Sequence, residues 1–195
     1  MYVKRICVYC GSNPGKSVEF LESARTLAGE LVQRDIGLVY GGASVGIMGE
    51  IADTVLARGG EVIGVIPQAL VDKEVSHTGL TELRIVNSMH ERKEIMADLA
   101  QGFIALPGGL GTIEEIFEVL TWAQLGFHQK PCALLNVKGY YNQLTQFLDH
   151  AVAQGFVTET HRKMLLVEED PHSLLEVMAS YNAPAVDKWI DREET

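Results

Sequence analysis

The sequence is short of cysteine, of basic residues and of long apolar runs, and each shortage excludes a class of protein. Lysine and arginine number 16 against 26 aspartates and glutamates, so the net charge of −10 argues against attraction to nucleic acid or to an anionic membrane. No apolar run is long enough to span a bilayer, and the N-terminal residues show no signal-peptide core. We therefore expect a cytoplasmic protein with neither a nucleic-acid nor a membrane partner.

Only three cysteines are present, at Cys7, Cys10 and Cys132. Cys7 and Cys10 have C-x-x-C spacing, but no second cysteine pair completes a zinc site. They also follow one another along a predicted strand, whereas a redox motif needs its sulfurs at a helix start. We expect buried thiols in a reducing compartment.

Short β-rich segments alternate with helical patterns along the whole chain, which predicts a parallel sheet covered on both faces. The length of 195 residues fits one such domain. We predict a single-domain α/β fold of the Rossmann-like, doubly wound type over residues 1–181 and a loose tail over 182–195. The predicted strands are 3–9, 36–40, 61–66, 83–86, 103–106, 132–136 and 165–167.

Glycine-rich turns follow three of these strands, at Gly11, at Gly41 to Gly49 and at Gly108 to Gly111. Ligands of doubly wound folds bind beyond the carboxyl ends of the strands, so all three turns are expected at one edge of the sheet. The last turn leads into a helix near Thr112, whose first N–H groups favour a phosphate. We expect N–H groups of two of the turns and of this helix start to converge on one anion.

The turn at Pro107 to Gly111 is followed by Thr112 and Glu115, for which two interpretations stay open. Thr112-Ile-Glu-Glu115 fits a capping box, in which threonine caps a helix that starts near Thr112 and Glu115 reaches back to the cap. Alternatively, Glu115 lies in the first turn of that helix, close to whatever the phosphate carries. The first interpretation is structural and the second is functional.

The segment Ser88 to Glu94 also offers a capping box, between Ser88 and Glu91, and places Arg92 and Lys93 about one turn into a helix. The helix dipole disfavours cations there. Either the two cations form an ordinary exposed face or they meet an anion at the ligand edge of the sheet. As an exposed charge, Arg92 would be replaceable by alanine without loss of folding.

Three familiar motifs are incomplete. Cys10-Gly-Ser-Asn-Pro-Gly-Lys-Ser17 has cysteine for the first Walker A glycine, and Pro14 lacks a phosphate-binding N–H. The dinucleotide fingerprint is absent, because Gly41 and Gly42 are adjacent and no acidic residue closes the third strand. His90 and Glu91 begin H-E-x-x-H, but Glu94 stands where the second histidine belongs. These departures argue against an ATPase, a hydride-transfer enzyme and a zinc protease.

Two stretches carry a family resemblance. Pro107-Gly-Gly-Leu-Gly-Thr-Ile-Glu-Glu115 has the form P-G-G-x-G-T-x-x-E, and Met89-His-Glu-Arg-Lys93 looks like its usual companion. Together they resemble the Lonely guy family of cytokinin riboside 5′-monophosphate phosphoribohydrolases, often labelled lysine decarboxylases. The likeness covers most of the chain, including the segments 10–12, 41–42, 46–49 and 135–141.

The resemblance implies hydrolysis of the N-glycosidic bond of AMP or N6-modified AMP, with no metal or organic cofactor, by a homodimer. It implies that Arg92 and Glu115 are catalytic. It also implies a set of substrate-binding residues, namely Glu74, Arg92, Lys93, Gly108, Gly109, Leu110, Gly111, Thr112, Ile113, Glu114 and Thr121. The helix after the glycine turn is apolar on most sides, which suits either a dimer interface or burial within one subunit.

Cleavage of a glycosidic bond builds positive charge on the ribose. A carboxylate at Glu115 could stabilise that charge, hold a ribose hydroxyl or orient the attacking water. Arg92 stays protonated, so it is suited to clamp phosphate or polarise the base and is a poor general acid. Glu74 and bulk water are both candidates for protonating the leaving base.

Two alternatives compete with the hydrolase. A lysine decarboxylase would ordinarily need pyridoxal phosphate and a Schiff-base lysine, and no lysine lies in a convincing position. A carrier of a nucleotide or a pterin could use the same glycine turns without turnover. The pairing of Glu115 with Arg92 in the motifs favours the enzyme.

Overall fold

The computed structural model describes residues 3–71 and 76–184, and within them the strands form one parallel sheet of seven. All seven predicted strands are confirmed, with bounds shifted by at most two residues. They are β1 (Arg5–Tyr9), β2 (Gly37–Tyr40), β3 (Val62–Pro67), β4 (Glu82–Val86), β5 (Phe103–Ala105), β6 (Cys132–Leu135) and β7 (Leu165–Glu168).

The described helices are α1 (Val18–Gln33), α2 (Gly46–Ala57), α3 (Gln68–Val71), α4 (Met89–Leu99), α5 (Leu110–Gln124), α6 (Asn142–Ala153), α7 (Glu159–Arg162) and α8 (Pro171–Ala179). A 3₁₀ turn (Val137–Gly139) separates β6 from α6. No described helix is both long enough and apolar enough to cross a membrane.

Helices cover both faces of the sheet because side chains alternate along each strand. On β1, Ile6 and Val8 enter a core cluster with residues of α1, α2 and α8. Cys7 and Tyr9 point to the opposite face and join a cluster with residues of α4, α5 and α6. This confirms the doubly wound fold, and it places Cys7 and Cys10 in different clusters as buried, free thiols.

The strand order is β4-β3-β2-β1-β5-β6-β7, so the chain builds outward from β1 in one direction and then returns to the other side. The reversal lies between β1 and β5, which are paired from Cys7 with Phe103 to Tyr9 with Ala105. A crevice opens where connections leave such neighbouring strands for opposite faces of the sheet. The fold therefore positions a ligand site beyond Tyr9 and Ala105.

Two predicted features lie wholly or largely outside the described residues. Glu74 belongs to the gap at 72–75, and most of the predicted tail lies beyond residue 184. The domain bounds at 1–181 and 182–195 stay predictions.

Candidate active site

An open cleft of about 770 Å³ lies at this reversal point of the sheet. Its size falls within the range of small-molecule sites. Segments from all three glycine turns contribute to its wall, which confirms that the turns converge. The glycines that line it are Gly11, Gly41, Gly109 and Gly111.

Helix α5 begins at Leu110 with Gly109 as its N-cap, two residues before the start predicted near Thr112. Thr112 is buried inside the first turn, and no side chain caps this helix. Glu115 then falls in the second turn, beyond reach of the cap. The capping box of Thr112 and Glu115 is therefore excluded, because the chain becomes helical directly after the glycine turn.

The carboxylate of Glu115 accepts a short hydrogen bond from the guanidinium of Arg92 instead. Arg92 comes from α4, on which the predicted capping by Ser88 is confirmed by a 3.1 Å hydrogen bond from the Glu91 N–H. Both partners of the pair are buried, and both line the cleft. The tertiary fold thus joins the two residues that the family motifs imply to be catalytic.

Arg92 is not an exposed helix charge, since only 7% of its surface is accessible. Its Nε donates a hydrogen bond of 3.0 Å to the carbonyl of Val65 on β3. A Cβ placed on Gly41 would overlap Arg92 Nη2, so only glycine leaves room for this guanidinium. The expectation that Arg92 can be replaced without loss of folding assumed an exposed side chain, and that assumption is wrong.

Burial raises the pKa of Glu115 above its ordinary value, because desolvation disfavours the charged carboxylate. The charge of Arg92 and its hydrogen bond oppose this rise. A carboxyl group with a raised pKa, held beside a permanent cation, is suited to exchange a proton or to stabilise a developing positive charge.

The three glycine turns do not contribute equally to an anion site. The N–H groups of Ile47 and Met48, in the first turn of α2, both donate to the Gly11 carbonyl, at 3.0 and 3.3 Å. The start of α2 is thereby engaged by the protein itself, so these two N–H groups are not available to an anion. Helix geometry leaves the N–H groups of Leu110, Gly111 and Thr112 without intrahelical partners, and these residues line the cleft. Any phosphate is expected at the start of α5.

The glycines of the motif are needed for different reasons. A Cβ on Gly108 would overlap Thr112 Oγ1 and lie 2.9 Å from the Gly11 backbone nitrogen, so close packing of the turn demands glycine. A Cβ on Gly109 or Gly111 would meet no atom within 4 Å. Packing therefore does not explain those two glycines, whereas a ligand that approaches the backbone does.

Gly111→Ala should separate ligand binding from folding. Alanine favours a helix over glycine by up to about 1 kcal/mol, and the site is sterically open. We expect an unchanged or slightly raised Tm together with a KM for AMP raised about tenfold, because the methyl group enters the cleft wall. Gly108→Ala should instead lower the Tm. An unchanged KM in a folded Gly111→Ala variant would contradict a close approach of ligand at this turn.

The other predicted site residues are divided between the cleft and its surroundings. Arg92, Glu115, Gly109, Leu110, Gly111, Thr112 and Glu114 line the cleft. Gly108 lies beside it, in a smaller hollow with Phe20 and Tyr140, and Ile113 is half-buried and does not line the cleft.

Lys93 and Thr121 lie away from the cleft. Lys93 Nζ binds Glu114 at 2.7 Å and Glu118 at 2.8 Å, and Lys93 lines a separate cavity between α4 and α5. Thr121 is exposed, and its hydroxyl donates to the Phe117 carbonyl. It is six residues beyond Glu115, which is about 9 Å along the helix axis.

Sequence reasoning missed an apolar part of the cleft wall that comes from α2 with its N-cap, from α3 and from α4. Its members share no common periodicity in the sequence, so no pattern signals them. They are Val45, Met48, Leu70, Met89 and Met96. Cys10 also borders the cleft, but burial raises the pKa of its thiol, which disfavours the nucleophilic thiolate.

The described residues contain no group of three or more histidines, cysteines, aspartates or glutamates placed to hold a metal. Among the residues that the structure describes, no lysine lines the cleft. Burial lowers the pKa of nearby Lys93, but its contacts with Glu114 and Glu118 together raise it above the ordinary value. A Schiff-base lysine needs the opposite shift, which argues against decarboxylation through Lys93.

The fold and the site together define a Rossmann-like α/β protein in which a helix start opens on the cleft, beside a buried carboxylate–guanidinium pair at the topological switch point. A family model described as "Possible lysine decarboxylase" matches residues 48–178. The chain belongs to this family and, within it, to the Lonely guy group, which confirms the resemblance carried by the two motifs.

The curated relatives support this placement over most of their length. A rice protein (Oryza sativa subsp. japonica), named probable cytokinin riboside 5′-monophosphate phosphoribohydrolase LOGL9, is 51% identical over 91% of this chain and 78% of its own. The Arabidopsis thaliana enzyme named cytokinin riboside 5′-monophosphate phosphoribohydrolase LOG1 is 48% identical over 91% of this chain and 84% of its own.

Solved structures with a similar fold are more distant in sequence. The molybdenum cofactor carrier protein of Chlamydomonas reinhardtii has a TM-score of 0.67 and 22% identity, over 91% of this chain and 96% of its own. The molybdenum cofactor binding protein of Rippkaea orientalis has a TM-score of 0.69 and 19% identity, over 92% and 98%. At such identities the likeness shows the fold alone, and it agrees with the predicted fold class.

Proposed function

We propose that this protein hydrolyses the N-glycosidic bond of adenosine 5′-monophosphate and of its N6-modified forms, releasing the base and ribose 5-phosphate. The observation that carries the proposal is the buried pair of Glu115 and Arg92 beside the free helix start of α5, in one cleft. It is supported by relatives about half identical in sequence that are named phosphoribohydrolases.

The 5′-phosphate binds at the start of α5 in this proposal. The N–H groups of Leu110, Gly111 and Thr112 point out of the helix end, where the dipole also favours negative charge. The net charge of the protein is −10, so local donors must supply the attraction. Anchoring of the phosphate places the ribose one turn further along α5, against Glu115.

Glu115 stabilises the positive charge that develops on the ribose as the bond to the base breaks. Its Oε1 is held by Arg92, and the second carboxylate oxygen can meet the sugar or the attacking water. Arg92 fixes the orientation of the carboxylate and favours its ionised form against the effect of burial. These roles need no proton from the guanidinium.

The proposal is tested by incubating the purified protein with AMP and separating adenine from AMP by chromatography. Stoichiometric release of adenine and ribose 5-phosphate with many turnovers per protein supports the hydrolase. The alternative, a carrier of a nucleotide or a pterin, requires a tightly bound ligand and no turnover. Binding of AMP without release of adenine would contradict the hydrolase and support the carrier.

The enzyme should require the 5′-phosphate. Binding energy from a remote phosphate places the ribose against Glu115, so its removal should lower kcat as well as weaken binding. We expect AMP to exceed adenosine in kcat/KM by about 10³-fold or more, and ribose 5-phosphate to inhibit competitively. Similar kcat/KM values for the two substrates would contradict a phosphate site at Gly109 to Thr112.

We further propose that the protein acts as a cytoplasmic homodimer. Its three cysteines are buried and free, as suits a reducing compartment. Phe117, Leu120 and Trp122 on α5 are only partly buried within this chain. Thr121 lies on the same helix, too far along it to serve its own cleft, so its implied contact with nucleotide would be made in a second copy.

The oligomeric state should therefore be that of a dimer of 21.4 kDa subunits. Size-exclusion chromatography with light scattering measures this mass directly. Trp122→Glu should weaken the association, because it places a charge in an apolar contact, whereas the exposed Glu22→Gln on α1 should leave the mass unchanged. A monomer at micromolar concentration would contradict the proposal.

A further inference from the structure

Two consecutive tyrosines reach from the end of β6 to the glycine turn that follows β5. Tyr141 Oη donates to the Leu106 carbonyl at 2.7 Å, and Tyr140 Oη donates to the Gly108 carbonyl at 2.6 Å. Between these two, the Pro107 carbonyl accepts from the Gly11 N–H at 3.1 Å. Three successive carbonyl groups of the turn are thus held by donors from outside it.

The backbone before the tyrosines is shaped to deliver them. Lys138 has a φ of 51°, a left-handed conformation that a lysine rarely adopts, and Gly139 comes next with a φ of 70°. The buried side chain of Asn136 stabilises this bend, because its Oδ1 accepts from the Tyr141 N–H at 2.7 Å. A strained turn that persists in this way indicates a functional constraint on the residues that it positions.

The two tyrosines are not equivalent in burial. Tyr141 is 2% exposed and belongs to the core, whereas Tyr140 is 44% exposed. The Tyr140 ring packs edge-on against Phe20, with centroids 5.7 Å apart, so that its hydroxyl is directed by packing rather than by burial. The Tyr140 hydroxyl is therefore the one that can be removed with little cost to folding.

A hydrogen bond to the Gly108 carbonyl also orients the next amide. In a trans peptide the C=O of one residue and the N–H of the next point in opposite directions, and the structure contains no cis peptide among its described residues. With the Gly108 carbonyl turned toward Tyr140, the Gly109 N–H is directed away from that ring. Gly109 lines both the cleft and the smaller hollow, whereas Tyr140 lines the hollow and not the cleft.

We propose that Tyr140 is a positioning residue, whose hydroxyl holds the Gly108–Gly109 peptide so that the Gly109 N–H is presented to the phosphate of the substrate. The positioning role rests on the proposed function in taking AMP as the substrate. Its effect on the binding of inorganic phosphate does not depend on that function. Tyr140 touches neither the substrate nor Glu115 and acts only through the turn. The anion it serves is a phosphate monoester or inorganic phosphate.

The test compares Tyr140→Phe with the parent protein in two separate measurements. The first is a titration with inorganic phosphate, in which binding is measured by calorimetry and by the chemical shift of the Gly109 amide. The second is the kinetics of AMP and adenosine hydrolysis. We expect the phosphate Kd and the KM for AMP to rise by the same factor, about five- to tenfold, as befits loss of one neutral hydrogen bond. The kcat/KM for adenosine should be unchanged.

Two further variants distinguish the effect of the Tyr140 hydroxyl from the effect of its ring and from that of removing a tyrosine hydroxyl elsewhere. Tyr181→Phe, beyond the end of α8, should leave both the phosphate Kd and the KM for AMP unchanged. Tyr140→Ala should weaken phosphate binding at least as much as Tyr140→Phe and should lower the Tm as well, since it also removes the contact with Phe20. A parent-like phosphate Kd in Tyr140→Phe overturns the proposal, whatever Tyr140→Ala does.

The phosphate titration also keeps this inference distinct from the proposed function. If the parent protein binds phosphate but does not cleave AMP, the hydrolase is wrong, and a weakened phosphate Kd in Tyr140→Phe still supports the positioning role. If the parent cleaves AMP and Tyr140→Phe matches it in KM and in phosphate Kd, the positioning role is overturned and the hydrolase stands.

Discussion

Glu115→Gln should still fold, with a lowered Tm because the Arg92 cation stays buried without its counter-charge, and should lose about 10³-fold in kcat. Glutamine keeps the shape and can still accept a hydrogen bond from Arg92, but it carries no charge to stabilise the ribose cation. Removal of one positioned catalytic group typically costs about 10²- to 10⁴-fold. The measurement is single-turnover release of adenine from AMP, with the Tm as the check on folding. Glu22→Gln, an exposed change of the same kind on α1, should leave kcat unaltered.

The pH profile provides a second check on Glu115. If its ionised form is required, kcat/KM should fall as the pH drops through its pKa, which burial raises above the ordinary value of 4.5. Glu115 should therefore add to the acidic limb of the parent a step above pH 4.5 that the Glu115→Gln profile lacks. The substrate phosphate, with a pKa of about 6, titrates in both proteins, so the difference between the profiles belongs to Glu115. Near-parental turnover in the folded variant would exclude the catalytic role.

Arg92→Met should lose both activity and stability. Methionine fills much of the volume but leaves the Glu115 carboxylate buried without its partner and the Val65 carbonyl without its donor. Breaking a buried ion pair from one side commonly costs about 3 kcal/mol. We expect a loss of that size in the free energy of unfolding and a loss of at least about 10²-fold in kcat/KM. Arg84→Met removes a partly exposed ion pair with Glu82 and should cost less than about 1 kcal/mol.

The double variant Arg92→Met, Glu115→Gln distinguishes the loss of stability in Arg92→Met from its loss of activity. With the carboxylate neutralised, the stability should recover by half or more, because no uncompensated charge remains buried. The activity should not recover, because both groups are needed for the reaction. Recovery of activity with stability would mean that Arg92 serves folding alone.

The cleft also explains why these variants are informative. Gly41 leaves room for the Arg92 guanidinium, and Val65 fixes its Nε, so the pair is built by the turn after β2 together with β3, α4 and α5. No one of these elements determines its geometry. Coupling between the substitutions is therefore expected, and additive effects would indicate that the two side chains act independently.

The sequence by itself determined the sheet and the place of the site. Apolar runs predict the five inner strands, since a parallel strand buried on both faces has to be apolar throughout. The edge strands β4 and β7 are predicted by short β-rich segments, and they are only partly buried. Glycines that follow strands predict the ligand edge, because connections in such a sheet leave every carboxyl end on the same side. The motif at Pro107 to Glu115 and its companion at Met89 to Lys93 predict the family. Each of these signals is local or periodic.

Only the tertiary structure decided which partners the polar groups take. The spacing of Thr112 and Glu115 fits a capping box, yet Glu115 binds Arg92 of another helix. The pattern around Arg92 is equally that of an exposed face, yet β3 and Gly41 enclose it. The first N–H groups of α2 are used by Gly11, and Tyr140 reaches a carbonyl 32 residues earlier in the chain. Such contacts join residues far apart in sequence, and a buried charge or an unpaired N–H takes whichever partner the packed fold brings within about 3 Å.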